Sequence, residues 1–208
     1  MKPKMNNWEQ NMKSTEQTLP ASTYEPSNIE IRLTLSLGLT ILSPYYRSFA
    51  HSLSLQGCER VLDFGSGSGI CSRHIAARLQ NSGGQLACVD ISRGWMNVIH
   101  KTLRSYNHVS YHLGHITNLD LPDAAFDVVV IHYVLHDIPA ADRSRVVNTL
   151  ARKLKPGGRF ILREPQNEGL TCTELKQLAI SAGLSSSRVI TRKVFIGSVI
   201  DGNFTKKL

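Results

Sequence analysis

Three groups of residues in this 208-residue chain have types and spacing suited to chemistry. The first is Val61-Leu62-Asp63-Phe64-Gly65-Ser66-Gly67-Ser68-Gly69, an apolar run that reaches an acidic residue and then three glycines at alternate positions. Glycines let a chain turn sharply and let a ligand approach with no Cβ in the way, while free NH groups at the start of the following helix face that ligand. A tight strand-to-helix turn alone needs fewer of them. The second is Asp90, 21 residues after Gly69 and just before Ser92. At the end of a strand a carboxylate can accept both hydroxyls of a ribose, or it can serve as a helix N-terminal charge. The third is His132-Tyr133-Val134-Leu135-His136-Asp137, which follows the β-branched run Phe126–Ile131. Ligands bind beyond the carboxyl ends of parallel strands. His136, with Asp137 beside it, is therefore the leading candidate to take a proton from an acceptor hydroxyl or ammonium, and His132 is the second. Capping or packing is the structural alternative for both. His112, His115, His132 and His136 lack a zinc-like spacing, so no metal is expected.

The elements that must position these groups follow from periodicity. Short β-rich runs at Arg60–Phe64, Gln85–Asp90, Val109–Leu113, Phe126–His132 and Arg159–Glu164 alternate with helical stretches, a pattern that predicts parallel strands joined by right-handed crossovers. Ser187–Arg192 and Val194–Ile200 follow each other without room for a helix, so they must pair as an antiparallel hairpin. Residues 1–27, polar and punctuated by Pro3, Pro20 and Pro26, read as a flexible tail. Residues 28–56 read as one or two helices forming a lid, since Ile29, Leu33, Leu37 and Ile41 recur at helical spacing before Pro44. Residues 57–208 form the main domain.

Composition narrows the class. Hydrophobic residues make up 41% and charged residues 19% of the chain, which excludes a disordered or fibrous protein. No signal peptide and no membrane span is read, and no membrane partner is expected, because the most apolar stretch, Leu33–Leu42, contains Thr34, Ser36, Gly38 and Thr40. Four singly spread cysteines suit a reducing cytoplasm. The net charge of +8 raises nucleic acid as a partner. However, the densest basic run, Arg152, Lys153 and Lys155, falls where a helix should end and favours the macrodipole there, so nucleic acid is not favoured.

The spacing Asp63-x-Gly65-x-Gly67-x-Gly69 resembles the first motif of the class I S-adenosylmethionine-dependent methyltransferases. A dinucleotide fingerprint would instead need glycine or alanine where Ile70 stands. Leu154-Lys155-Pro156-Gly157-Gly158 is similar to that family's helix stop before the fifth strand. The resemblance implies a three-layer Rossmann-like α/β sandwich, with a mostly parallel seven-stranded sheet and an antiparallel C-terminal hairpin. It implies S-adenosylmethionine as cofactor, wrapped at its methionine end by Gly65, Ser66, Gly67 and Gly69, with Asp63 near the amino group. Asp90 and Ile91 would then meet the ribose. Met96, His115 and Ile116 would lie by the adenine, and His132 would face the methionine. His115 stands where the family usually has an acidic residue. Tyr133, Tyr45 and Tyr46 would line the acceptor pocket. The Asn/Asp-Pro-Pro-Tyr pattern of many amide N-methyltransferases and the Pro-Cys pair of the cytosine C5 class are both absent. The favoured reading is thus a methyltransferase on a small molecule. A methyltransferase on a protein or nucleic acid, and a non-catalytic cofactor-binding domain, are the alternatives; a dinucleotide oxidoreductase is opposed by Ile70. Oligomeric state is not legible.

Overall fold

The computed structural model describes residues 24–166 and 168–208; residues 1–23, most of the expected tail, lie outside the described residues. Two helices, α1 (Asn28–Leu39) and α2 (Ser43–Ser52), precede the core. The core runs β1 (Arg60–Phe64), α3 (Ile70–Leu79), β2 (Gln85–Asp90), α4 (Arg93–Thr102), β3 (Val109–Leu113), β4 (Phe126–His132), α5 (Ala140–Lys153), β5 (Leu154–Pro165), α6 (Cys172–Ser181), β6 (Leu184–Val194) and β7 (Gly197–Lys206).

The seven strands form one sheet in the order β3-β2-β1-β4-β5-β7-β6. β1 pairs parallel with both β2 and β4, and β4 with β5, whereas β7 runs antiparallel to β5 and β6. Side chains alternate across each strand. Val61, Val128 and Val130 therefore enter one apolar cluster with Phe49, Ile75, Leu86 and Ile99. Leu62, Val129 and Ile131 enter the other with Val146, Leu150, Leu175 and Phe204. α2, α3 and α4 cover the first face and α5 and α6 the second, giving three layers. Each fully buried Val, Leu or Ile contributes about 1.5–3 kcal/mol, so the strands that carry the candidate site are also the most strongly held.

Two expectations need correction. The hairpin is longer than its apolar runs: its strands are Leu184–Val194 and Gly197–Lys206, with the turn at Phe195-Ile196. β7 owes its length to pairing with β5 from Arg159↔Thr205 to Pro165↔Val199, while β6 is an edge strand with mostly exposed residues and little hydrophobic signal. The fifth strand starts at Leu154 rather than Arg159, directly after α5, with a register shift against β4 between Phe126 and Val128. The apolar row that marks α1 is turned to solvent: Ile29, Leu33 and Leu37 on the helix and Ile41 just beyond it are 72%, 57%, 45% and 65% exposed. The residue of α1 that is buried is Gly38, where a Cβ would stand 2.1 Å from Ile70.

Candidate active site

The glycine-rich loop leaves β1 at the centre of the sheet. Gly65 and Ser66 both donate backbone NH groups to Val89 O, at 2.8 and 3.1 Å, tying the loop to β2. Gly67 has φ +51, and a Cβ there would meet nothing closer than Gly65 O at 3.9 Å. The loop thus presents an open, side-chain-free ledge at Gly67. Gly65 is glycine for a different reason, since a Cβ would lie 2.3 Å from Val134 Cγ2. Gly69 caps α3 in the left-handed conformation.

Two carboxylates flank this loop. Asp63 is 2% exposed, and its Oδ2 accepts from Ser72 Oγ at 2.6 Å. Burial pushes its pKa up to about 6, against the opposing Ser72 hydrogen bond. Asp90 Oδ2 accepts from Gly67 N at 2.8 Å and Oδ1 from Ser92 N at 2.9 Å. It therefore pins the loop to the start of α4 while each oxygen keeps a lone pair. Burial raises the Asp90 pKa, and the nearby Glu25 adds to that. Ser92 caps α4 by accepting from Trp95 N at 3.0 Å.

Glu25 joins this cluster although no motif marks it. Its Oε1 accepts from Arg93 N at 2.8 Å, and its Oε2 from Gly94 N at 2.7 Å and Ser92 Oγ at 2.8 Å. Residues assigned to the tail thus reach the helix end next to Asp90.

The carboxyl ends of β4 and β5 build the second half. Tyr133 follows β4 with φ +60, a strained value for a bulky residue, and its NH donates to Arg163 O at 2.8 Å. Its hydroxyl is 2.6 Å from that of Tyr45 on α2. The His132 ring lies among Phe49, Tyr133, Tyr46 and Tyr45, with centroids 4.5, 4.7, 5.4 and 5.9 Å away. Burial and then the Arg163 charge push its pKa down to about 3, so it is neutral and a poor proton acceptor. Arg163, its partner across the β4–β5 ladder, is 1% exposed, stacks on Phe49 and Tyr45, and holds Asp201 through Nε at 2.6 Å. His132 Nε2 and Arg163 Nη1 are both buried without a hydrogen-bond partner.

His136 has the geometry of an oriented base. Its Nδ1 is 2.7 Å from Glu164 Oε2, and Glu164 is itself fixed by Val134 N and Leu135 N on Oε1, at 3.0 and 2.9 Å. The sequence paired His136 with Asp137, but Asp137 Oδ1 is 3.4 Å from Nε2 and its side chain is 76% exposed. Glu168 also approaches Nε2, at 3.2 Å. The Glu164 carboxylate raises the His136 pKa above its ordinary value, with burial opposing.

The structure thus gathers Asp63, Gly65, Ser66, Gly67, Gly69 and Asp90 at the carboxyl ends of β1 and β2, and His132, Tyr133, Tyr45, Tyr46 and His136 at the carboxyl end of β4. Met96 and Ile116, each 1% exposed, have their side chains in the two apolar clusters. Ile91 is partly exposed beside Asp90. His115 contacts Thr117 Oγ1 through Nδ1 at 2.7 Å, and burial lowers its pKa. Glu164 and Arg163 were within reach of the rule about carboxyl ends of parallel strands, applied to β5 as well as β4. Glu25 has partners 67 to 69 residues away, with no sequence signal. Among the described residues no group of three or more His, Cys, Asp or Glu is gathered to hold a metal, and no helix is long and apolar enough to cross a membrane.

A family model described as a methyltransferase domain matches residues 62–162, from β1 through β5. The chain contains a class I S-adenosylmethionine-dependent methyltransferase domain. A demethylmenaquinone methyltransferase of Clavibacter sepedonicus is 32% identical over 106 residues, 51% of this chain and 41% of that protein. A ubiquinone/menaquinone biosynthesis C-methyltransferase of Vibrio campbellii is 31% identical over 109 residues, with the same shares. The match thus spans about two fifths of the length of these curated relatives. The fold is shared with an S-adenosylmethionine-dependent methyltransferase of Aquifex aeolicus, at a TM-score of 0.71 and 16% identity over 86% of this chain and 98% of that one. The cofactor of the methyltransferase domain is S-adenosylmethionine, and the open ledge at Gly67 beside Asp90 fits it.

Proposed function

We propose that the chain methylates a small aromatic acceptor bearing an ionisable hydroxyl, of the quinol class, with His136 taking the hydroxyl proton. The observation that carries this reading is the His136–Glu164 pair, at 2.7 Å, beside the aromatic lining of Tyr45, Tyr46 and Tyr133. The names of the curated relatives supply the acceptor class.

S-adenosylmethionine brings a methyl group already activated by its sulfonium. The residues of the chain must therefore hold the acceptor in line and handle one proton. Gly65, Ser66, Gly67 and Gly69 cradle the methionine end, and Asp63 lies on the amino-group side. Asp90 accepts from the ribose, with Ile91 following, and Met96 and Ile116 back the adenine from the cores. His115 Nδ1 faces Thr117, lying 2.7 Å from Oγ1 and 3.4 Å from the backbone NH; Thr117 Oγ1 gives its own proton to Asn118 Oδ1, and in the tautomer that then donates from Nδ1 to Oγ1, His115 Nε2 is the acceptor for the adenine amino group. Glu164 accepts Nδ1–H of His136, so in the neutral ring the proton-accepting atom is Nε2, which meets the acceptor hydroxyl once the exposed Glu168 and Asp137 side chains, at 3.2 and 3.4 Å, give way. His132, neutral at every physiological pH, packs the acceptor pocket and exposes no charge to it.

The test is kcat/KM against pH for wild type and His136→Asn, using reduced short-chain quinones as acceptors. Activity rising through a single ionisation above the ordinary histidine range, and falling roughly 100-fold or more in the variant with cofactor affinity unchanged, is the expected result. A flat profile, or a variant with wild-type kcat, removes His136 from the chemistry.

A further inference from the structure

The outer face of the two leading helices has a composition that the active site does not use. Ile29, Leu33 and Leu37 stand one turn apart along α1, and Leu39 at its last position and Ile41 just beyond it are exposed as well, all at least 40%. An apolar helical row is ordinarily turned inward, and a large exposed one marks an interaction surface. Next to it opens a shallow cavity of about 580 Å³, whose lining passes from Leu39 and Pro44 to Ser43, Arg47 and His51. The basic side continues onto α3. Arg78 Nη2 lies 2.6 Å from His51 Nδ1, Ser43 Oγ is 3.4 Å from His74 Nε2, and Arg73, Arg47 and His51 together bear on His74 electrostatically. Among the described residues Arg47, Arg73 and Arg78 form no ion pair with a carboxylate. One face therefore joins an apolar row to positive charge that no described carboxylate pairs.

We propose that this face docks on the surface of an anionic lipid bilayer, with Ile29, Leu33, Leu37 and Ile41 entering the acyl boundary and Arg47, Arg73 and Arg78 meeting lipid phosphates. Both halves are needed for this assignment. Nucleic acid would satisfy the arginines and leave the apolar row in water. A second copy would cover the row but bring the same basic cluster against its own charge, in a chain whose net charge is already +8. An anionic bilayer accepts both. The 12 residues of α1 span about 18 Å, too short to cross a bilayer, so the helix lies on it. The opposite side of α2 carries Tyr45, Tyr46 and Phe49, so docking brings the cover of the acceptor pocket to the lipid surface. The surface assignment stands independently of the acceptor proposed above.

The experiment is flotation of the full chain with vesicles of phosphatidylcholine alone or mixed with phosphatidylglycerol, at low and high salt. Binding to the mixed vesicles, weakened by salt, is expected. Arg47→Ser/Arg73→Ser should weaken it roughly 25-fold, about fivefold per arginine. Leu33→Ser/Leu37→Ser should weaken it at least about tenfold, whereas Arg188→Ser, on edge strand β6, should not. Cofactor titration and circular dichroism verify that each variant folds and separate this result from the proposed reaction. Absence of vesicle binding at low salt overturns the proposal. So does binding indifferent to the leucines but transferred to oligonucleotides, which assigns the face to nucleic acid. A dimer made monomeric by Leu33→Ser/Leu37→Ser, with no vesicle binding, overturns it in favour of a second copy.

Discussion

Replacing Glu164 by glutamine changes one atom and the charge, and the structure says which bonds must suffer. Glu164 Oε1 accepts from Val134 N and Leu135 N, and Oε2 accepts from His136 N at 3.3 Å and Nδ1 at 2.7 Å. A glutamine that keeps its carbonyl toward Val134 and Leu135 turns its amide NH2 toward two donors. Two bonds to a buried charge are lost, at about 1.5 kcal/mol each, so the loss of stability is about 3 kcal/mol. For a chain of this size that lowers Tm by roughly 6–12 °C. His136 must also change tautomer, accepting at Nδ1 and carrying its proton on Nε2, which removes the lone pair needed for catalysis. kcat should fall roughly 100-fold while the affinity for S-adenosylmethionine holds. The His136 pKa, raised in the wild type chiefly by Glu164, should move down. The linkage sign follows. A folded pKa above the unfolded value stabilises fully below about pH 6.5 and is lost as pH rises through the folded pKa. This part of the wild-type advantage over Glu164→Gln is therefore larger in mild acid than in alkali. Proton NMR titration of the His136 ring, melts at two pH values and single-turnover rates measure these quantities. An unshifted pKa together with wild-type turnover refutes the reasoning.

Asp90→Ala removes the acceptor for Gly67 N and Ser92 N as well as the proposed ribose contact. The Kd for S-adenosylmethionine should rise roughly 100-fold by calorimetry, the equivalent of two charge-assisted bonds, and a change below about threefold would count against the site. Gly65→Ala and Gly67→Ala should separate packing from binding. The first drives a Cβ into Val134 and should cost about 1–3 kcal/mol in denaturant unfolding. The second meets open space, should cost only about 1 kcal/mol of backbone strain, and should act chiefly on cofactor affinity. Equal destabilisation by both would contradict that division.

The glycine loop, Asp90 and the parallel strands themselves were legible because each is written in consecutive residues. Asp63-x-Gly65-x-Gly67-x-Gly69 is one uninterrupted stretch, and strands buried on both faces declare themselves by unbroken apolar runs such as Phe126–Ile131. What failed was anything assembled across the chain. The partner of His136 is Glu164, 28 residues away on the adjacent strand, rather than its sequence neighbour Asp137. Basic residues that looked dispersed converge because α2 and α3 pack together, bringing Arg47 and His51 beside Arg73 and Arg78. The row Ile29, Leu33, Leu37 and Ile41 carries a correct helical period but no information on direction, and the close approach of Gly38 to Ile70 turns it outward.

The contact of Glu25 with Ser92, Arg93 and Gly94 has a consequence for the order in which the molecule comes apart. It closes a loop containing α1, α2, β1, α3 and β2, so the entropy of closing that loop is overcome only once β1 and β2 are in place. The anchored segment should therefore behave as a separate cooperative unit, joining last and leaving first. Amide hydrogens of α1 should exchange through partial opening that leaves the sheet intact, while those of β1 and β4 should wait for global unfolding. The NH groups of Arg93 and Gly94 belong to the first class although they sit at the core helix α4. Their exchange rate should report how often the leading segment is lifted off the start of α4.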